Sequence, residues 1–71
     1  MENSNQINEK IGKNIAYYRK TLGLTQAELA EKTGIRQSNI SRIESGAASP
    51  TIDTLARLAE GMGKKLVISF Q

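Results

Sequence analysis

Two residue types that carry much of biological chemistry are missing from this chain. It has no cysteine and no histidine, which removes disulfides, thiolate and imidazole nucleophiles and the commonest transition-metal ligands. No carboxylate pair suited to general acid–base work and no glycine-rich phosphate loop takes their place. The sequence therefore points away from an enzyme, a metal site or a bound cofactor. Long apolar runs are also lacking. No stretch approaches the ~20 residues of a membrane span, and the opening MENSNQINEK has no apolar core of the signal-peptide kind. The expectation is a soluble cytoplasmic chain with no membrane partner. Its 71 residues make one domain with a modest core, a size that is marginal unless stapled or oligomeric.

Charge of either sign is not in great excess. Ten Lys and Arg against seven Asp and Glu leave +3, a balance that fits a polyanionic partner without demanding one. The polar start, residues 1–6, is rich in Asn and Ser and reads as a flexible arm. From Ile7 or Asn8 to Leu22, the apolar residues Ile11, Ile15, Tyr18 and Leu22 recur at i, i+4, i+7 and i+11. That spacing predicts one face of a long amphipathic helix, ended by Gly23. Lys10 and Lys13 lie near its start, and Tyr17 falls off the stripe.

Residues 25–46, TQAELAEKTGIRQSNISRIESG, carry the most information. Thr25 and Glu28 have the spacing of a reciprocal capping box, so a helix should begin at Gln26. Leu29 and Ala30 give it a buried stripe. Gly34 should stop it, because glycine tolerates the left-handed conformation of such turns. A further helix is predicted from Arg36 or Gln37 to Glu44, with Gly46 beyond its end. At about 100° per residue, Ile40 and Ile43 turn inward while Gln37, Ser38, Ser41 and Arg42 fall on the opposite side. Ser and Asn are indifferent helix formers, and a merely solvated face would favour Lys and Glu. Short donors and acceptors are what base-edge reading needs: Arg for guanine, Gln or Asn for adenine, Ser for either. Two short helices joined by a tight turn, the second polar outward, suit insertion into a groove of double-stranded DNA.

Beyond Gly46, Pro50 pre-sets the backbone for another helix entry, which Thr51 or Ser49 can cap. Ile52, Leu55, Leu58, Ala59 and Met62 then predict a fourth helix that closes the core, ended by Gly61 and Gly63. The last segment, residues 64–71, is different. Lys65-Leu66-Val67-Ile68-Ser69-Phe70 is rich in β-branched residues and reads as a strand with Leu66, Ile68 and Phe70 on one face. No other segment reads as its partner, so it is expected to pair with the same strand of a second copy and make a homodimer.

The motif LGLTQAELAEKTGIRQSNISRIESG, with the following PTIDTLARLAEGMG, resembles the helix-turn-helix domain of the phage-repressor and Cro family, the Xre-like regulators. The resemblance spans about residues 9 to 63. It implies an all-α, four-helix lambda-repressor-like fold over residues 7–63, to which this chain adds its terminal strand. Position by position, Gln26 is similar to the family's phosphate-binding glutamine. Gln37, Ser38 and Arg42 match the principal base-reading positions, with Asn39 and Ser41 beside them. Arg19 and Glu44 match an ion pair tying the first helix to the recognition helix. Ser49 matches a position whose hydroxyl supplements a backbone phosphate site, and Lys13 lies where the first helix of such proteins often meets the DNA backbone. Arg36 departs from the family, which commonly has Ser or Thr there. Arginine is a poor cap, and the expected gain is a cation at the DNA backbone or groove edge.

These readings lead to a sequence-specific transcriptional regulator, a repressor that binds a palindromic operator as a homodimer at the nucleoid. A second reading is an antitoxin, since short chains with this domain and a terminal strand resemble antitoxins that bind a toxin protein and repress their own operon.

Overall fold

In the computed structural model, which describes residues 3–71, four helices follow one another: α1 Ser4–Thr21, α2 Gln26–Thr33, α3 Gln37–Glu44 and α4 Ile52–Gly61. The first begins earlier than its hydrophobic pattern suggests. The Asn3 side chain accepts from the Gln6 amide at 2.9 Å while the Gln6 carboxamide oxygen accepts from the Asn3 amide at 2.9 Å, a reciprocal cap that a search for apolar spacing does not register. Residues 4–6, expected in a flexible arm, are thus helical; the arm's first two residues lie outside the described ones.

The other helix ends follow their local chemistry. Thr25 and Glu28 form the expected box at 3.0 and 2.9 Å, and the two hydrogen bonds to Thr25 hold the Glu28 carboxyl below the usual carboxylate range. Gly34 closes α2 at φ +73°, donating its amide to the Ala30 carbonyl, a conformation unfavourable for residues with a Cβ. Thr51 caps α4, accepting from the Thr54 amide at 3.1 Å. Arg36 occupies the cap position of α3 with no side-chain cap bond, so that helix starts without the ~1 kcal/mol that Ser or Thr typically contributes.

The core gathers Ile15 from α1, Leu29 from α2, Ile35 from the turn, Ile40 and Ile43 from α3, and Leu58 and Met62 from the last helix and its end. Leu29 and Ile40 have no exposed surface. α3 packs against both α1 and α2, and α2 packs against α4.

Two expectations of the apolar pattern fail. Tyr18 and Leu22, assigned to the inner stripe of α1, are 42% and 47% exposed. The inner line of that helix is instead Asn8, Gly12, Ile15 and Arg19, which repeats at i, i+4, i+7 and i+11 and is buried from Gly12 onward. Arginine can point inward here because carboxylate and carbonyl acceptors meet it there. Ile52, placed on the core face of α4, is exposed; it is the first residue of the helix, which meets the core from Leu55 onward.

Residues 64–71 form no strand. A strand exists only by hydrogen bonding to another, and no other described segment of this chain offers an extended edge. The segment instead lines a groove of about 540 Å³ with Ile11, Ile15 and Tyr18 of α1 and Leu55 and Leu58 of α4. Of the three residues expected to pack on the helices, only Leu66 is half-buried; Ile68 is exposed and Phe70 is 100% exposed. Lys64 places its ammonium 5.2 Å from the Tyr18 ring centre, a cation–π contact worth about 0.5–1 kcal/mol at such an open site.

Candidate nucleic-acid interface

The sequence QSNISRIE of α3 divides cleanly on the folded helix. Ile40 and Ile43 are buried, and Ile35 anchors the turn before them. Arg36, Gln37, Ser38, Asn39, Ser41 and Arg42 are all exposed. Two guanidinium groups, two carboxamides and two hydroxyls are therefore exposed along the cap and outer side of a helix only eight residues long. Helical geometry makes this a rod of about 12 Å, short enough to lie within a major groove. Arg42 makes one long contact, donating from a terminal nitrogen to the Ala47 carbonyl at 3.4 Å. That leaves most of its donor fork free for another acceptor.

The far end of α3 is held by a compact polar network. Arg19 Nε donates to Glu44 Oε2 at 2.7 Å, and a terminal Arg19 nitrogen donates to Glu44 Oε1 at 2.9 Å. Its other terminal nitrogen donates to the Leu24 carbonyl at 2.8 Å, which ties α1 to the entrance of α2. The two side chains are only 10% and 8% exposed. Gln26, half-buried at the first position of α2, donates from Nε2 to Glu44 Oε1 at 3.0 Å. Hydrogen bonding to Glu44 raises the Arg19 pKa, against the opposing effect of its own burial. For Glu44, burial pushes the pKa upward, but hydrogen bonds from Arg19 and Gln26 and the charges of Arg19 and Lys20 outweigh it and hold the carboxyl below its ordinary value. Among the described residues, no buried side-chain polar atom lacks a partner.

Gly12 makes the close approach behind this network possible. A Cβ there would stand 2.3 Å from the Ile43 carbonyl oxygen and 2.6 Å from that of Glu44. Only a glycine lets α1 come this near the end of α3.

Ser49 lies exposed in the loop before α4, where its hydroxyl accepts from Asn8 Nδ2 at 2.7 Å. The hydroxyl proton remains available to an outside acceptor. Lys13 is exposed on α1 and shares a shallow depression of about 290 Å³ with Gln6, Glu9 and Lys10. Glu9, one turn before Lys13, lies against Gly46 just beyond α3.

Gln26 and Glu44 are thus brought into contact, with Arg19 completing the group, while the six polar residues of α3 and its cap remain on open surface. Asn8 and Gly12 are the positioning residues that hydrophobic patterning passes over. The available signals were slight: an asparagine and a mid-helix glycine spaced four apart, in phase with Ile15 and Arg19.

Comparison with known proteins agrees with this geometry. Residues 15–68 match the helix-turn-helix family HTH_3. Over 53 residues the chain is 40% identical to the uncharacterized HTH-type transcriptional regulator y4dJ of Sinorhizobium fredii, covering 75% of this chain and 69% of that one. It is 34% identical over 53 residues to the cryptic phage CTXphi transcriptional repressor RstR of Vibrio cholerae, covering 75% and 47%. The crystal structure of an HTH_3 family transcriptional regulator from Vibrio cholerae superposes with a TM-score of 0.85 at 30% identity, covering 89% of this chain and 35% of that protein.

Proposed function

The chain belongs to the helix-turn-helix family of transcriptional regulators, a non-enzymatic class, and from that premise we propose that it is a repressor acting at the nucleoid as a homodimer on a palindromic operator. The observation that carries the reading is the division of α3 into a buried Ile40–Ile43 edge and an exposed edge of Gln37, Ser38, Ser41 and Arg42. In a major groove, Arg42 would pair with guanine and Gln37 with adenine, and the serines would accept from or donate to either. Gln26, Ser49 and Lys13 would take backbone phosphates, which set register and orientation rather than sequence. Arg36 and Asn39 would flank the reading face.

The homodimer is supported by the apolar surface that the single chain leaves open. Val67 and Ile68 are exposed at the groove between α1 and α4, where Tyr18 is also open to solvent, and Phe70 farther along the segment is fully exposed. Large apolar side chains left open on one surface are a common mark of an interaction site. To read a palindrome, a twofold pair would have to hold its two α3 helices about 34 Å apart, one turn of B-DNA. Repression is supported by the name of the phage relative RstR, and a dimer spanning two major grooves can block access to a promoter. No helix among the described residues is long and apolar enough to cross a membrane.

Selecting bound duplexes from a random pool tests the whole reading. It should return inverted half-sites, and affinity for them should fall steeply with added salt as phosphate contacts release counterions. Equal binding of selected and scrambled duplexes at every salt concentration would refute it.

A further inference from the structure

We propose that Glu44 is a positioning residue for DNA binding, acting by orienting the Gln26 carboxamide toward a backbone phosphate. The inference rests on the DNA-binding reading above and adds a role to a carboxylate that would otherwise be assigned to the fold alone.

A glutamine amide can present either its oxygen or its nitrogen to a neighbour, and the two choices have opposite consequences at a phosphate, which only accepts hydrogen bonds. Glu44, held ionised by its partners, also only accepts. It therefore admits the Gln26 nitrogen and excludes the oxygen, and the 3.0 Å contact from Nε2 to Oε1 has that sense. One of the two Nε2 protons is occupied inward; the second remains for an outside acceptor. Glu44 in turn cannot swing away, because Arg19 grips both of its oxygens at 2.7 and 2.9 Å and is itself anchored to the Leu24 carbonyl. The amide at the head of α2 is thus oriented before DNA arrives, which reduces the ordering cost of the contact.

Electrostatics alone predicts the opposite effect of removing this charge. A carboxylate close to DNA repels it, so Glu44→Gln should tighten binding to any duplex if charge were the whole matter. Positioning predicts weaker binding. The neutral carboxamide that replaces the carboxylate could accept from Gln26 in one flip and donate to its oxygen in the other, so the orientation of the Gln26 amide would no longer be fixed.

The experiment measures the affinity of the full chain for a labelled random-sequence duplex of about three helical turns by fluorescence anisotropy, at a temperature where circular dichroism shows each variant folded. Glu44→Gln should weaken binding roughly three- to tenfold, the range of one hydrogen bond. In a Gln26→Ala background, the same change should cause no loss. A Glu44→Gln loss of equal size in both backgrounds would mean general loosening and overturn the proposal, as would tighter binding in both. No duplex binding by the unaltered chain would overturn the DNA reading together with it. Should Glu44→Gln not fold, side-chain amide NMR of the unaltered chain decides the matter. A Gln26 Nε2 proton pair displaced from its free-glutamine positions, with one proton slow to exchange with solvent and the other shifted on adding the duplex, is expected from the contact to Glu44; a pair at free-glutamine positions that the duplex leaves unchanged would overturn the assignment.

Discussion

Replacing Gly12 by alanine sets two well-understood effects against each other. Gly12 lies in the interior of α1, where alanine favours the helix by about 1 kcal/mol over glycine. Judged by propensity alone, the substitution should stabilise the protein. The structure predicts the reverse. The new Cβ would sit 2.3 Å from the Ile43 carbonyl oxygen and 2.6 Å from that of Glu44, and both neighbours are backbone. Restoring ordinary contact requires α1 and the end of α3 to part by about 1 Å, a distance at which dispersion contacts lose a substantial part of their attraction. Overpacking of this kind costs about 1–3 kcal/mol, and a clash against two carbonyls belongs at the upper end. Subtracting the propensity gain leaves a net loss of about 2 kcal/mol. For a domain of this size that corresponds to a fall in Tm of about 8–16 °C. Thermal unfolding followed by circular dichroism at 222 nm measures it directly. A Tm equal to or above that of the unaltered chain would refute the claim that α1 and α3 touch through this glycine.

Three further outcomes follow from other parts of the molecule. Arg42→Ala should relax base preference at one position of each half-site and cost about 1–3 kcal/mol, read by competition among duplexes varied at that position; unchanged preference would remove Arg42 from the reading face. Glu44 has a folded-state pKa below its unfolded value, so its contribution to stability is fully present above the ordinary carboxylate range and is lost as pH falls through the depressed value. Urea unfolding between pH 7 and pH 3 should therefore show a steeper acid loss for the unaltered chain than for Glu44→Gln, and parallel curves would contradict this linkage. Phe70→Asp should halve the mass seen by light scattering if the exposed apolar end joins two copies, while leaving the helical content unchanged because Phe70 touches none of the core. A monomeric mass for the unaltered chain would end the dimer proposal.

How far each element could be read from the sequence depended on the range of the interaction that makes it. The box of Thr25 and Glu28, the stop at Gly34 and the cap at Thr51 are closed within four residues, so local chemistry was enough to place the starts of α2 and α4. The division of α3 was legible for a similar reason, since Ile40 and Ile43 share a face whatever they pack against. The apolar pattern of α1 finds Ile15 but scores Asn8, Gly12 and Arg19 as outward, and only the family resemblance, not the periodicity, points Arg19 to Glu44. Their inward position depends on partners far along the chain: Ser49 for Asn8, the α3 carbonyls for Gly12 and Glu44 for Arg19. The β-rich pattern of residues 65–70 expresses a local preference only. Whether it becomes a strand depends on a partner edge, and none is present among the described residues of this chain.

The end of α3 also shows why a buried ion pair belongs at this site. A glutamate in the last turn of a helix stands at the negative end of the helix dipole, where it is unfavourable by several tenths of a kcal/mol. Burial adds a larger cost. Arg19 offsets both, because its guanidinium supplies a cation at the helix end and a bidentate match to the carboxylate. An apolar pair of similar volume could fill the space with equal or greater stability, but it would bond neither to the Leu24 carbonyl nor to the Gln26 amide. The charged arrangement fixes the relative positions of three helices through directional contacts converging on one carboxylate. It draws its contacts from the buried end of α3, so the six polar residues at its start and along its outer face need take no part in holding the helix. The fold can therefore hold the helix in place without drawing on those side chains.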